Sequence, residues 1–184
     1  GKKKSGMLVI LPIFNEYEFL QRDLGLLCRQ TSQNFDVLVL MSGPTNTEKA
    51  MGILENAKAG FRIIAAKRHE DTGSAGADFA GQTYALENRY DYMVLATAAC
   101  APVDRKLMEG LAKKKGNDVV LPKIRLIGPP GAPIQYSGTI PNYGLIPSKI
   151  VRQIGLIYAP FYNGGEEVEY LERLLKAGYR IDTI

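Results

Sequence analysis

Apolar residues along this chain fall into short unbroken runs, separated by stretches in which they recur every three or four positions. The runs are MLVIL at 7–11, DVLVLM at 36–41, residues 61–65, residues 92–96 and DVVLP at 118–122. Unbroken runs of this length suit strands buried on both faces. Between them, residues 16–29 carry Leu20, Leu24, Leu27 and Cys28 at helical spacing, with Asn15 and Glu18 placed as a capping box. Residues 45–58 predict a second helix behind a Thr or Asn cap. Residues 75–87 predict a third, with Phe79, Thr83 and Leu86 along one face. Asp104 opens a fourth, which Gly116 stops.

Strands of this kind alternating with helices predict a three-layer α/β/α fold around a mostly parallel sheet. Such sheets take ligands at the carboxyl ends of their strands. Those ends are 12–15, 42–45, 67–73 and 97–102. The alternation stops at 123–142, which holds four prolines and three glycines and predicts an irregular loop. Residues 146–154 predict a short helix. Residues 166–177 predict a clear one, with acids in its first turn, Val168, Leu171 and Leu175 inward and Gly178 as stop. A last strand is predicted over 179–184.

The 184 residues suffice for one domain, expected to span 1–184. Its first six residues, with Lys2, Lys3 and Lys4, read as a solvated tail. The start at Gly1 and the end on a strand are expected of a trimmed chain. A formal net charge of +4 is too small to argue for nucleic acid. Cys28 and Cys100 stand far apart and imply no disulfide framework, so a reducing compartment is expected. No apolar run approaches the roughly 18 residues of a membrane span.

Gly73, Ser74, Ala75 and Gly76 open a helix after a strand. They allow a phosphate or sugar to approach the backbone N–H groups there, or the helix to pack close to the sheet. Asn15 and Glu16 can hydrogen-bond a ribose or base, or cap the helix that follows. Neither G-x-G-x-x-G nor G-x-x-x-x-G-K-[ST] occurs. His69 has no metal-spaced partner and reads as a surface residue.

Four blocks in order carry a resemblance: VILPIFNEYEFL at 9–20, NFDVLVLMSGPTN at 34–46, EDTGSAGADFAGQTYAL at 70–86 and YNGGEEVEYLERLLKAGYRI at 162–181. Together they resemble the family-2 glycosyltransferases of GT-A fold, in the rhamnosyltransferase-like branch that serves polysaccharide biosynthesis. The resemblance implies a Rossmann-like, nucleotide-diphospho-sugar transferase fold. It implies inverting transfer of a hexosyl group from a UDP-, GDP- or dTDP-sugar to a glycan or lipid-linked acceptor. It assigns donor contacts to Pro12, Phe14, Asn15, Glu16, Ser42, Arg68, Asp71, Gly73, Thr97, Ala98 and Ala99. It assigns the general base to Glu167 or Glu166, with Glu167 aligned best. A cytoplasmic location, at the inner membrane face, is implied as well.

The chain departs from that pattern at two acidic clusters. Met41 and Ser42 stand where the family carries acids after the second strand, and Thr97-Ala98-Ala99 stands in place of D-x-D. In the family the acids after the second strand read the base and support the nucleotide, and the D-x-D carboxylates hold Mg²⁺ or Mn²⁺ against a diphosphate carrying roughly two to three negative charges. Thr and Ala cannot replace them, and Cys100 is too soft for Mg²⁺. Metal ligands are therefore not assigned. Two substitutes are open: cations at Lys67, Arg68, Lys123 and Arg125, or acids at Glu70 and Asp71. A non-catalytic GT-A domain that binds a nucleotide, a glycan or a protein is the alternative function. A nucleotidyltransferase-like protein of the same architecture is a third, which the late Glu-Glu helix disfavours.

Overall fold

The computed structural model describes residues 4–97, 100–126, 135–137, 140, 142–162 and 164–184, with backbone alone at 124–126 and 135–137. The chain opens with β1 (Met7–Ile13), α1 (Tyr17–Cys28), β2 (Asp36–Met41), α2 (Thr47–Asn56), β3 (Arg62–Lys67), α3 (Gly73–Glu87) and β4 (Tyr92–Leu95). These are the predicted alternating units, within two residues at most ends. Next come α4 (Leu107–Lys113), β5 (Val119–Leu121), β6 (Ile124–Leu126) and β7 (Gln135–Ser137). The chain closes with β8 (Gly144–Pro147), α5 (Ser148–Ile154), a 3-10 turn at Ala159–Phe161, α6 (Glu166–Lys176) and β9 (Ile181–Thr183).

Seven strands form one sheet in the order β3-β2-β1-β4-β8-β5-β9. Only β8 runs antiparallel, between β4 and β5. Two apolar clusters fill its two faces. One gathers α1 and α2 with Val9, Leu11, Val37 and Val39, and the other gathers α3, α5 and α6 with Leu8, Ile10, Leu38 and Met93. This is the predicted three-layer α/β/α architecture with a mostly parallel sheet.

The starting ends of the central strands meet at one buried carboxylate. Oδ2 of Asp36 accepts from Arg62 Nη2 at 2.8 Å, Arg62 Nε at 3.2 Å, Tyr90 Oη at 2.7 Å and the Ser5 N–H at 3.4 Å. Asp36 sits opposite Leu8 on one side and Arg62 on the other. The predicted tail therefore ends sooner than residue 6. Ser5 is buried, and its hydroxyl donates to the Asn34 carbonyl at 2.8 Å.

The structure corrects four further expectations. The capping box does not form: α1 has no side-chain cap, Asn15 Oδ1 accepts from Tyr17 Oη, and Glu16 Oε2 accepts from the Phe14 N–H. The carboxylate closes the turn instead of the helix. Residues 123–142 contain the antiparallel ribbon of β6 and β7. The predicted helix at 146–154 loses its first residues to β8, whose run of four buried residues is too short to separate from a helix by periodicity. Helix α6 turns Tyr170 and Leu174 inward, leaving Val168 65% exposed and Leu175 outward too.

Helix α3 also faces the sheet differently from expectation. Phe79 is exposed, and the buried side consists of Ala75, Gly76, Ala77, Asp78, Gly81, Gln82 and Ala85. Small residues bring the helix axis close to β1. A Cβ on Gly81 would run into the side chain of Ile10.

Two stability measurements follow. Gly81→Val forces Ile10 and α3 apart and is expected to cost about 1–3 kcal/mol in urea unfolding, despite the better helix propensity of the new residue. Arg62→Met leaves the buried Asp36 carboxylate with neutral donors only and is expected to cost about 3 kcal/mol. A loss below about 0.5 kcal/mol, in the range of an ordinary surface substitution, would remove Asp36 from its place in the fold.

Candidate functional site at the carboxyl ends of the strands

Four loops leave the sheet on its carboxyl edge, after β1, β2, β3 and β4. The first two are tied together by Thr45, which is buried and donates its hydroxyl to the Phe14 carbonyl and to the Ser42 carbonyl at 2.7 Å. Tyr17 Oη accepts from the Asn46 N–H at 2.7 Å and completes this seam. Pro12 lies within β1, Phe14 and Glu16 are half-buried, and Asn15 is exposed at the rim. Ser42 is 0% exposed, with its hydroxyl under the surface. Gly73, another of the predicted donor contacts, is buried as well.

The loop after β3 is held by its own side chains. Arg68 Nη1 donates to the Gly76 carbonyl, and Lys67 Nζ donates to the Thr45 carbonyl. Two of the four proposed phosphate-binding cations thus already brace the loops. Asp71 Oδ1 accepts from the Gly73 N–H at 3.0 Å, and its Oδ2 accepts from Tyr162 Oη at 3.0 Å. Glu70 and His69 are exposed, as is Lys123, and the Arg125 side chain lies outside the described residues.

The start of α6 comes to this edge through Tyr162. Its carbonyl accepts from the Ala75 N–H at 2.9 Å, pinning the approach to α6 against the first turn of α3. Gly164 and Gly165 follow with φ of +89° and +90°, a conformation that favours glycine and turns the chain sharply into the helix. Glu166 is then placed inward, 3% exposed, and Oε1 accepts from Ser74 Oγ at 2.6 Å. Glu167 is half-buried beside it. Asp71, Gly73 and Glu166 are thus linked through Tyr162 and Ser74 at this edge, with Glu167 next along α6.

After β4, Thr97 is half-buried and its carbonyl accepts from the Cys100 N–H at 3.1 Å. Ala98 and Ala99 lie outside the described residues. Beneath this loop sits Asp23 of α1, fully buried and paired with Arg22 at 2.8 Å. Burial pushes its carboxyl up to about 6, against the pull of Arg22. Burial and the charge of Asp23 also raise the Cys100 thiol. The Tyr143 hydroxyl is raised by the same two causes, with a contribution from Cys100.

Among the described residues, no group of three or more His, Cys, Asp or Glu side chains is placed to hold a metal ion. The oxygens offered at Ser42 and Thr97 are neutral hydroxyls, a poor fit to Mg²⁺ or Mn²⁺.

Three residues of this edge escaped sequence reasoning: Asp23, Asp78 and Tyr162. The first two carried a signal. Asp23 lies among Leu20, Leu24 and Leu27, and Asp78 on the small-residue face of α3. An acid on the buried side of a helix is rare enough to mark.

No protein-family model matches the sequence, and no curated protein does. Solved structures match in fold. A mannosyltransferase from Pyrobaculum calidifontis in complex with GDP-Man and Mn²⁺ superimposes with a TM-score of 0.73 at 13% identity, covering 100% of this chain and 55% of that one. S. aureus TarS 1-349 in complex with UDP gives 0.74 at 14%, covering 99% and 58%. A 4-diphosphocytidyl-2C-methyl-D-erythritol synthase gives 0.63 at 13%, covering 100% and 89%. The chain therefore has the GT-A fold of nucleotide-diphospho-sugar transferases. It spans little more than half the length of the first two proteins.

Asp23 supplies a pH test. Its folded value of about 6 lies above the 3.8 of an unperturbed carboxyl. The folded state thus holds the proton more tightly, so the stabilisation is complete below about pH 3.8 and is lost as pH rises through 6. Asp23→Asn is expected to flatten the stability profile over that window in chemical denaturation. An unchanged slope would show that Asp23 does not titrate there.

Proposed function

We propose that residues 1–184 form a nucleotide-sugar-binding GT-A domain of glycosyltransferase type. It moves a sugar from a nucleotide donor to a hydroxyl acceptor. One observation carries this reading: the first turns of α3 and α6 are locked together at the carboxyl edge by the 2.6 Å hydrogen bond between Ser74 and Glu166. That lock sets a carboxylate-bearing helix start beside the loops where a sheet of this topology takes its ligands.

In this reading the donor lies over Pro12, Phe14, Asn15 and Glu16, with Arg68, Asp71, Gly73 and Thr97 along the diphosphate side. Glu167 faces the acceptor. The acceptor O–H gives its proton to the Glu167 carboxylate, the oxygen bonds to the anomeric carbon, and the bond from that carbon to the diphosphate breaks. The acceptor is a glycan or a lipid-linked sugar, the latter placing the protein at the inner membrane face. Among the described residues no helix is long and apolar enough to cross a membrane.

A second reading, a binding domain without transfer, is favoured by the buried Ser42 and by the neutral Thr97 where carboxylates would hold a metal.

The two are separated by melting the protein with UDP, GDP, dTDP and CMP and their sugar conjugates, with and without Mn²⁺. One nucleotide is expected to stabilise by about 2.7 kcal/mol at 100 times its Kd, several degrees for a domain of this size. Glu167→Gln is expected to keep that shift while lowering transfer by about 10²–10⁴. A shift without transfer in the parent chain supports the second reading with a nucleotide as its ligand, and no shift with any nucleotide removes the transferase and leaves a domain that binds a glycan or a protein.

A further inference from the structure

Five of the eight large apolar side chains exposed among the described residues lie between 158 and 175, so bare apolar surface gathers at the approach to α6 and along it. Three of the five are rings on the 3-10 turn and its flanks. Tyr158 is 57% exposed, Phe161 39% and Tyr162 48%. Apolar surface concentrated in this way marks a binding face.

The rings are held in place. Tyr158 and Phe161 meet edge to face, with 5.7 Å between centroids and 79° between planes. Phe161 lies along Gly165, where a Cβ would sit 3.4 Å from its ring. Tyr162 takes a φ of +61°, a conformation rare for a bulky residue. Its carbonyl accepts from the Ala75 N–H at 2.9 Å, and its hydroxyl donates to Asp71 Oδ2 at 3.0 Å. Rings set before a ligand arrives lose little freedom on binding it.

Their surroundings select the ligand. No ion pair among the described residues engages Asp71, Glu166 or Glu167. Arg68 is committed to the Gly76 carbonyl, and Arg173 to the carbonyls of Ile154 and Leu156. The flank of the rings is therefore negative and repels a phosphate or an anionic headgroup. Asp71 already accepts from Tyr162 and Gly73, and Glu166 from Ser74, which leaves Glu167 to accept from an incoming O–H. A quaternary ammonium would answer the charge, but it calls for rings closed around a point. Here the Tyr158 and Phe161 planes diverge and all three rings stand open to water. A neutral sugar ring suits both features: its C–H face lies on the electron-rich aromatic face, and its hydroxyls donate to carboxylate.

We infer that Tyr158, Phe161 and Tyr162 form a stacking platform, beside the start of α6, for a neutral sugar ring of a glycan acceptor. The inference deepens the proposed function and rests on that reading for the role of Glu167.

The test is saturation-transfer NMR of the intact chain, irradiated at its aromatic protons, with cellohexaose, chitohexaose and mannohexaose and no nucleotide. At least one of the three is expected to take up saturation, most strongly on the C–H groups of one sugar face. Tyr158→Leu and Phe161→Leu keep apolar area but remove a ring, and each is expected to raise the Kd about 3- to 10-fold at unchanged melting temperature. Phe161→Tyr is expected to bind as the parent does. Should Phe161→Leu loosen the fold, Tyr158→Leu, at the more exposed ring, decides. No uptake by any of the three sugars, or equal uptake in the leucine variants, overturns the inference. So does ring-dependent binding of choline or of phosphatidylglycerol vesicles in place of the sugars. Sugar binding by a chain that no nucleotide stabilises keeps the platform and removes the donor, whereas a nucleotide shift without sugar binding does the reverse.

Discussion

Asp36 is the point on which the rest of this structure depends. Three neighbouring segments send donors to one of its oxygens: Ser5 ahead of β1, Arg62 at the start of β3 and Tyr90 ahead of β4. A buried carboxylate tolerates little displacement of its donors, since each lost bond exposes it to a low-dielectric interior. The parallel strands are thereby aligned at their starting ends, with Leu8 opposite Asp36 and Asp36 opposite Arg62. Alignment at one edge of a sheet sets alignment at the other. The loops that carry Asn15, Thr45, Asp71 and Thr97 therefore leave the sheet side by side, as a shared rim requires.

The second organising device is the thinness of α3. Its buried side is almost wholly alanine and glycine, so it lies against β1 at a distance that larger residues would prevent. The first turn then becomes a docking place for Tyr162 and Glu166. Close packing and ligand approach had stood as rival explanations for the small residues at 73–76. The structure shows the first at Gly81, further along the helix, and places the opening turn at the rim where the second would occur.

The alternating core was legible because unbroken apolar runs and helical spacing are strong, local signals. β1 to β5 and all six helices were readable from those runs. What was not legible depended on partners remote in sequence. The short β8 gains its identity only from β4 and β5 on its two sides. The face of α6 went wrong because Val168 and Leu175 are as apolar as the residues that turn inward, and the choice is made by Tyr170 and Leu174 packing against the sheet. At the site, the acids of α6 stood out by position, while the mark that Asp78 carries, its place on the small-residue face of α3, tells only once that face is known to be the buried one. The capping box of Asn15 and Glu18 failed for a local reason: Asn15 Oδ1 accepts from Tyr17 Oη, and the residue at the cap position is Glu16, whose carboxylate accepts from the Phe14 N–H.

Strand β8 carries a consequence for how the chain acquires its shape. The units from β1 to β4 pair mostly with neighbours in sequence and can close early, through short loops. β8 enters the middle of the sheet only after the excursion through β6 and β7, and β5 and β9 attach through it. Closing loops of that length is slow relative to local pairing. Ser74 and Glu166 lie 92 residues apart. On this topology the rim is expected to assemble in two stages, the loops after β1 to β4 with the early units and the acidic start of α6 with the late ones, so a partly folded chain would present the first half of that edge before the second exists.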